Sequence, residues 1–274
     1  MANLGIIGYG IVGKAVEYGF NKENNIKFYD KYQDSNTLEN VVKDSEFIFV
    51  SLPTPFSEKE EKIDLTIIDE NLKEITKLTN GTDKIVVMKS TVVPGTTRNY
   101  SKKYPETNFC FNPEFLTEAN YLEDFKNADR HVVGADSDKT RLRVIGLYRD
   151  SFPETPIYPT DLTSAEMVKY MANCFLATKV MFGNEMYGLC DKLGINYGEV
   201  KKMVTADDRI YDSHLDVTST KGFGGKCFPK DIVAMIGRGR ELGVDVSLLE
   251  KVWKNNLKTR EVRDWEEIPW AKSD

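Results

Sequence analysis

Residues 3–20 read NLGIIGYGIVGKAVEYGF, and this stretch decides the fold of the N-terminal half of the chain. Residues 3–7, most of which are apolar, predict a short buried strand, and residues 14–20 predict a helix. The turn between them is G-x-G-x-x-G, formed by Gly8, Tyr9, Gly10, Ile11, Val12 and Gly13. The first glycine permits a tight turn, the second a close approach of a pyrophosphate, and the third close packing of helix on strand. The pattern therefore predicts that a dinucleotide binds at the positive N-terminus of this helix.

A second apolar stretch, residues 26–29, predicts the next strand, and it ends in Asp30. An acidic side chain at this position binds the ribose 2′-hydroxyl of NAD and repels the 2′-phosphate of NADP. The alternative explanation of the glycines is a tight structural turn. Because strand, helix and acid occur together at the expected spacing, we favour NAD binding.

Strand and helix patterns alternate through residues 1–160, which predicts an α/β fold with a doubly wound, Rossmann-like sheet. Further strands are predicted at residues 46–52, 85–88, 108–111 and 131–134, and helices at 69–78 and 140–152. Ligands of such sheets bind beyond the carboxyl ends of the strands. We therefore expect the residues at these ends to contact the cofactor, namely Pro53, Thr54, Ser90 and Thr91. Helix capping is the alternative role of the hydroxyls. The charged run Ser57–Lys62 is predicted to be a solvated loop.

Prolines at 153, 156 and 159 mark a boundary, after which the pattern is mostly helical. We predict an NAD-binding domain in residues 1–160, a helical dimerisation domain in 161–262 and a tail, docked or frayed, in 263–274. Residues 164–193 form one long helical pattern that is apolar on several faces, as in helices buried between domains or subunits. Lys169 and Asn173 share one face of this helix. Shorter helices are predicted at 197–204, 231–242 and 247–262.

Residues 221–231 read KGFGGKCFPKD and place Cys227 between a glycine-rich turn and a predicted helix start. Glycines permit positive φ angles and close approach of the backbone to a ligand. Backbone amides together with Lys226 and Lys230 are expected to lower the thiol pKa and make Cys227 a better nucleophile. Asp231 lies one helical turn further on, within reach of a water or a proton. For this segment by itself, an inert buried cysteine is the commoner explanation.

The composition excludes several classes of function. A net charge of −6 argues against nucleic acid or an anionic membrane as the main partner. Four cysteines without a C-x-x-C pair and only two histidines argue against a metal site or a disulfide scaffold, and they suit a reducing compartment. The N-terminus lacks a signal-peptide pattern and no apolar run approaches membrane-spanning length. The expected location is the cytoplasm.

Five motifs occur in the order PTP (53–55), STVVPGT (90–96), NPEFLTE (112–118), Lys169-x-x-x-Asn173 and GFGGKCFPKD (222–231). With the glycine fingerprint, they make the chain resemble the UDP-glucose/GDP-mannose dehydrogenase family over residues 3 to about 260. The resemblance implies oxidation of the terminal alcohol of a nucleotide sugar to a carboxylate, with two NAD, through a cysteine thiohemiacetal and a thioester. UDP-glucose is the first expectation, and GDP-mannose, UDP-N-acetylglucosamine and UDP-N-acetylmannosamine stay open.

The resemblance also implies roles for individual residues. Cys227 is the expected nucleophile, Lys169 and Asn173 stabilise an oxyanion and position a water, and Asp231 acts with Thr91 on that water. Glu118 is tied to thioester hydrolysis and to the cofactor, and Glu114 is its neighbour. The remaining expected substrate contacts are Phe115, Leu116, Arg209, Phe223, Gly224 and Gly225. Since the family's equivalent of Arg209 reaches the substrate of a partner subunit, a homodimer built on the long helix is expected.

Two departures from the family pattern are visible. Thr117 stands where many relatives carry arginine. Typical members also continue into another nucleotide-binding domain, whereas this sequence stops within about twenty residues of Asn256. We therefore expect a short form with altered substrate affinity.

Two alternatives to this function remain. One is a two-electron dehydrogenase of the β-hydroxyacid type, against which Cys227 argues because a single oxidation needs no thiol. The other is a non-catalytic NAD-binding or oligomerisation protein. Two NADH per substrate, one NADH, or NAD binding without turnover distinguish the three hypotheses.

Overall fold

Nine strands and ten α-helices follow one another in the computed structural model, which describes residues 1–273. The strands are β1 (Asn3–Ile7), β2 (Asn25–Tyr29), β3 (Phe47–Val50), β4 (Phe56–Ser57), β5 (Lys62–Ile63), β6 (Ile85–Met88), β7 (Asn108–Phe111), β8 (His131–Gly134) and β9 (Ile157–Thr160). The helices are α1 (Ile11–Phe20), α2 (Leu38–Asp44), α3 (Thr66–Thr79), α4 (Thr96–Lys103), α5 (Tyr121–Lys126), α6 (Asp138–Ser151), α7 (Leu162–Leu193), α8 (Tyr197–Val204), α9 (Phe228–Glu241) and α10 (Ser247–Thr259), followed by a 3-10 turn at Asp264–Glu266.

Seven of these strands form one sheet in the order β2-β1-β3-β6-β7-β8-β9. Neighbouring strands are parallel except for β7 and β8, which are antiparallel. Helices connect the parallel strands, so the predicted α/β class with a Rossmann-like sheet is confirmed.

The chain divides into two compact units. The first consists of Met1–Thr54 and Asp64–Lys169, and the second of Pro55–Ile63 and Tyr170–Asp274. A division at residue 160 would place residues 55–63 in the first unit and residues 161–169 in the second. In the structure residues 55–63 belong to the second unit and residues 161–169 to the first. The predicted domain boundaries at 160 and 262 stay predictions.

The sheet of the first unit is buried on both faces, as parallel sheets are. Ile6 packs on one face with Phe20 and Tyr148, whereas the next residue, Ile7, packs on the other face with Leu72. Side chains alternate along a strand, so continuous apolar runs are required to fill both layers. The short strands therefore read as unbroken apolar stretches, and this is why the sequence predicted them.

The edge strand β9 was not predicted. It contains Pro159, and Pro156 directly precedes it; in the sequence both prolines indicate a boundary. Proline is tolerated in edge strands because one side of the strand needs no hydrogen-bond donor. β9 pairs with β8 and is the last strand of the sheet.

Helix α7 begins at Leu162, two residues before the predicted start. The reason is Asp161, whose Oδ1 accepts the N–H groups of Thr163 at 2.9 Å and Ser164 at 3.1 Å. Asp161 therefore caps the helix. The division between the two units falls within α7, between Lys169 and Tyr170.

The core of the second unit is formed by residues from distant parts of the sequence. They include Phe56, Cys174, Phe223, Ile232, Trp253 and Trp265. Phe56 belongs to the two-stranded hairpin β4–β5, so the prediction of a solvated loop for Ser57–Lys62 was wrong at both ends of the run. Its tip, 59–60, is exposed.

The C-terminal tail is docked on the second unit. Phe56 donates its N–H to Ala271 O at 3.0 Å and accepts the N–H of Ser273 at 3.0 Å. Trp265 is fully buried. Within residues 1–273, none of the helices combines the length and apolar character required to cross a membrane.

Candidate functional site

The glycine-rich turn between β1 and α1 is shaped by its three glycines. Gly8 has a φ of +91°, which other residues rarely adopt. A Cβ on Gly13 would lie 2.2 Å from Gly8 O, so only glycine permits this packing of helix on strand. A Cβ on Gly10 would contact no atom within 4 Å, which leaves the backbone there open to a ligand.

Helix α1 presents its N-terminus at this turn. Gly10 is its N-cap, no side chain caps the helix and its first turn carries no acidic residue. Ile11 and Val12 are the first two residues of the helix and are half-buried. Because the first N–H groups of a helix attract anions, this end fits a pyrophosphate.

Asp30 lies directly at the same turn. Its Oδ2 accepts the N–H of Tyr9 at 2.8 Å, and its Oδ1 accepts the N–H of Tyr32 at 2.9 Å. The ring of Tyr9 stacks on Phe28 with 3.8 Å between centroids. Burial and a hydrogen bond to Glu17 raise the pKa of Tyr9 to about 12. The open Gly10, the uncapped helix and this carboxylate together fit NAD.

The predicted cofactor contacts after β3 and β6 differ in exposure. Pro53 is exposed, Thr54 is buried and Thr91 is half-buried. Ser90 is buried, and its hydroxyl donates to Leu52 O at 2.8 Å. The Ser90 hydroxyl therefore holds the end of β3 in place and does not cap a helix.

Glu166 caps a neighbouring helix, a role that the sequence did not reveal. Its carboxylate accepts the N–H groups of Gly95 at 2.6 Å and Thr97 at 2.7 Å, and thereby caps α4 from helix α7. Burial raises the pKa of Glu166 to about 7, although the two N–H groups favour its ionised form. No local pattern predicts a cap that comes from about seventy residues further along the chain.

Glu114 and Lys169 form a buried ion pair in the first unit. Lys169 Nζ lies 2.7 Å from Glu114 Oε1 and donates to Glu114 O at 2.7 Å. The N–H of Leu116 donates to the second carboxylate oxygen at 2.8 Å. Burial by itself would raise the pKa of Glu114, but the charge and hydrogen bond of Lys169 outweigh it, and the pKa is lowered.

The other predicted residues of this loop are not members of the ion pair. Phe115 is half-buried, with the guanidinium of Arg130 4.2 Å from its ring centroid. Thr117 donates its N–H to Asp124 at 2.7 Å. Glu118 is exposed, and the structure does not join it to the Glu114–Lys169 pair.

In the second unit, Cys227 lies at the N-terminus of helix α9, for which it is the N-cap. Asp231 donates its N–H to Cys227 O at 2.9 Å, so the helix begins at once and the two residues are one turn apart. Cys227 is half-buried, whereas the other three cysteines are buried. A thiolate at a helix N-terminus is stabilised by the helix dipole.

Asp231 is the centre of a buried polar group. Its side chain is 1% exposed. Oδ2 accepts Asn173 Nδ2 at 2.6 Å, and Oδ1 lies 2.5 Å from Lys230 Nζ. The sequence predicted Asn173 and Asp231, but it treated Lys230 only as a charge near Cys227. Lys230 pairs with Asp231 where both side chains are buried, and the sequence does not show this burial.

The glycine loop before Cys227 is held from helix α10. Asn256 accepts the N–H of Phe223 at 2.8 Å and donates to Phe223 O at 3.0 Å. Gly225 donates its N–H to Asp264, 3.2 Å away. A Cβ on Gly224 would lie 2.2 Å from Asp264 Oδ1, so the close approach requires glycine.

Arg209 lies apart from these groups in the loop after α8. Its guanidinium is mostly exposed and pairs with Asp207 at 2.5 Å. The structure does not bring it to Asp231 or Cys227 within this chain. No cluster of three potential metal ligands occurs among residues 1–273.

Two sequence profiles match the chain. Residues 16–152 match the NAD binding domain of the UDP-glucose/GDP-mannose dehydrogenase family, and residues 163–258 match its central domain. A UDP-glucose 6-dehydrogenase of Rickettsia prowazekii is 34% identical over 232 residues, 83% of this chain and 52% of the relative. One from Bacillus subtilis is 35% identical over 233 residues, 82% of this chain and 49% of the relative. The chain thus spans about half the length of the curated relatives it matches.

A solved structure extends the similarity to three dimensions. The UDP-glucose dehydrogenase of the archaeon Pyrobaculum islandicum superposes with a TM-score of 0.85 at 28% identity. The superposition covers 94% of this chain and 68% of the other.

Proposed function

Because the chain belongs to the UDP-glucose/GDP-mannose dehydrogenase family, we propose that it oxidises the C6 alcohol of a nucleotide sugar to a carboxylate. UDP-glucose is the proposed substrate, since the named relatives are UDP-glucose 6-dehydrogenases. NAD, when bound at the turn of Gly8, Gly10 and Gly13, accepts one hydride in each of two oxidations.

The observation that carries this proposal is the arrangement of Cys227 one helical turn before the buried Asp231 carboxylate. Two oxidations at one carbon require that the intermediate aldehyde be retained, and a covalent cysteine adduct does this. A half-buried thiol at a helix N-terminus is suited to form that adduct.

The proposed reaction has four steps. The C6 alcohol loses a hydride and a proton to give the aldehyde. The thiolate of Cys227 adds to the aldehyde carbon, and the oxygen takes up a proton to give the thiohemiacetal. This adduct loses a second hydride and proton to give the thioester. Water then attacks the carbonyl, the C–S bond breaks, and the carboxylate and the thiol are released with a proton.

Within this scheme Asp231 orients the attacking water and accepts its proton. The amide of Asn173 and the ammonium of Lys230 hold the Asp231 carboxylate in one orientation. Lys169 stabilises negative charge on the reacting oxygen, a contribution of ~10²–10³-fold in rate for one such group. Glu114, Glu118, Thr91 and Arg209 keep the roles that the family resemblance assigns to them.

We also propose a homodimer through helix α7. Met171, Phe175, Phe182, Leu189 and Leu193 are each more than half exposed on this helix. Several large apolar side chains exposed on one helix are typical of a protein–protein interface. The exposed Arg209 fits a role in the partner's site. A reducing compartment, the cytoplasm, fits a reaction that needs Cys227 as a thiol.

The test measures the NADH formed from a limiting amount of one nucleotide sugar at a time. The sugars are UDP-glucose, GDP-mannose, UDP-N-acetylglucosamine and UDP-N-acetylmannosamine. The proposal predicts two NADH per sugar for the natural protein and for the control Cys190→Ser, and at most one for Cys227→Ser. One NADH from the natural protein would favour a two-electron dehydrogenase. No turnover with NAD still bound would favour a non-catalytic role for this chain.

A further inference from the structure

Lys89 is a buried lysine that the proposed reaction does not use. It directly follows β6 and is 2% exposed. Its Nζ donates to Asn112 Oδ1 at 2.6 Å and to Pro113 O at 3.5 Å, both at the start of the loop that carries Glu114. It also lies 5.3 Å from the ring centroid of Phe125. These contacts join the end of β6 to the loop after β7.

Lys89 and Lys169 both act on the Glu114 carboxylate, which is 8% exposed. The charges of both lysines lower the pKa of Glu114 against the opposite effect of burial. Two ammonium groups and one carboxylate in a buried cluster leave one positive charge uncompensated, which is costly away from water. One member of the cluster therefore releases its proton more readily than an exposed group would.

That member is Lys89. Burial lowers the pKa of Lys89 to about 7, and the positive charge of Lys169 contributes, although Glu114 opposes the shift. Lys169, by contrast, has the carboxylate and the main-chain oxygen of Glu114 both at 2.7 Å.

Three other buried titratable groups near Lys89 are neutral near pH 7. Burial raises the pKa of Cys110 on β7 to about 12 and raises that of Tyr148 on α6, whose hydroxyl donates to Asn112 at 2.5 Å. Burial lowers the pKa of His131 on β8 to about 3. The charged groups of the buried cluster are therefore Lys89, Glu114 and Lys169, and the less buried Asp124, Asp129 and Arg130 line the same pocket.

We propose that Lys89 is a positioning residue of the candidate site: it fixes the start of the Asn112–Glu118 loop and contributes a positive charge beside Glu114. As the pH falls below neutrality, Lys89 becomes charged, and its charge adds to that of Lys169 in favouring the ionised form of Glu114. The consequence for turnover rests on the proposed function, whereas the consequence for stability does not.

The lowered pKa of Lys89 makes the folded chain more stable as the pH rises. The pKa of Lys89 is about 7 in the folded chain, against an ordinary value of 10.5. Between these values the unfolded chain binds one proton that the folded chain lacks, so rising pH favours folding. The contribution of Lys89 lowers the unfolding constant about tenfold for each pH unit in this range.

Urea unfolding of the natural chain, Lys89→Met, Lys89→Gln and the control Lys77→Met tests this between pH 7 and 9.5. Lys77 is an exposed lysine paired with Glu74. The unfolding constants of the natural chain and of Lys77→Met are expected to show the tenfold contribution per unit, and those of both Lys89 variants to lack it. An unchanged pH dependence in the Lys89 variants would overturn the proposal.

The pH profile of NADH formation provides the second readout. Without the cation at position 89, the acidic limb is expected to shift upward by roughly half a pH unit or more, because Glu114 loses a charge that favours its ionised form. Lys89→Gln keeps a hydrogen-bond donor for Asn112, so a natural profile in that variant would contradict the role of charge. If the natural chain lacks turnover, the proposed function fails, while the unfolding measurements still decide the role of Lys89.

Discussion

Cys227 differs from the other cysteines in both exposure and surroundings. It is half-buried at a helix N-terminus, whereas Cys110, Cys174 and Cys190 are buried. Burial raises the pKa of Cys110 to about 12 and also raises that of Cys174, so both thiols stay protonated and unreactive at neutral pH. Cys227 is thus the most exposed of the four cysteines and the candidate for nucleophilic chemistry.

We predict that iodoacetamide at neutral pH alkylates the folded chain at Cys227 before the other cysteines. Peptide mass mapping after short exposure measures this. Cys227→Ser is expected to resist alkylation, and the matched control Cys190→Ser to react as the natural chain does. Faster modification of Cys190 or Cys174 would contradict the assignment of Cys227 as the nucleophile.

The sequence predicted those residues whose roles depend on local backbone geometry. Gly8, Gly13 and Gly224 were recognised because glycine patterns report positive φ angles and close approaches. Glu166 and Lys89 were not recognised, because the value of a buried charge depends on partners that only the folded chain brings together. A sequence shows the charge but not its burial.

At the scale of elements, helix α7 depends on a cap that lies outside the predicted helix. Asp161 accepts two N–H groups of the first turn and also pairs with Arg98 at 2.7 Å. Hydrogen bonds from the side chain and the backbone N–H of Ser164, together with Arg98, lower the pKa of Asp161 to about 2 despite the opposing effect of burial. Its ionised form is thus favoured in the folded chain.

We predict that Asp161→Ala lowers the free energy of unfolding by about 1 kcal/mol at pH 7. Since the folded pKa lies below the unfolded value of about 3.9, the contribution of the charge is present above pH 4 and is lost as the pH falls toward 2. Urea unfolding at several pH values measures both effects. Asp161→Asn is the control, because asparagine retains the cap, and a loss as large as that of alanine would contradict the capping role.

The sequence predicted the helices and strands in which a single apolar pattern dominates. The bounds of β1, β6, β7 and β8 agree to the residue with the predicted strands, because these strands are mostly apolar and are buried on both faces of the sheet. The short helices α2, α4 and α5 were missed, since six to eight residues carry little periodicity. Edge strand β9 was missed because prolines are compatible with an edge but not with a central strand.

At the scale of the whole molecule, the exposed apolar side chains of α7 bear on assembly. Phe175 and Phe182 are among the exposed aromatic residues of this helix. The family and fold could be predicted from sequence because the glycine, proline and cysteine motifs carry specific backbone geometry. The dimer interface could not be predicted in the same way, because the apolar pattern of α7 is expected both for a helix buried in a core and for a helix at an interface.

We predict that the chain is a dimer in solution and that replacing both Phe175 and Phe182 with Asp makes it a monomer. Light scattering coupled to size-exclusion chromatography measures the mass. Leu142→Asp, at another exposed apolar residue, is the control and is expected to remain dimeric. A monomeric natural chain, or a dimer that survives the double substitution, would contradict an interface on α7.

The proposed reaction proceeds through a thioester on Cys227, and mass spectrometry of the acid-quenched Asp231→Asn variant can detect this intermediate. The substitution removes the carboxylate that accepts the proton of water, so hydrolysis is expected to slow ~10²–10⁴-fold and the thioester to accumulate. With UDP-glucose and NAD, we expect a peptide containing Cys227 that carries the oxidised nucleotide sugar and releases it with hydroxylamine. NADH formation without any adduct on Cys227, or an adduct on another residue, would show that the reaction does not proceed through a Cys227 thioester.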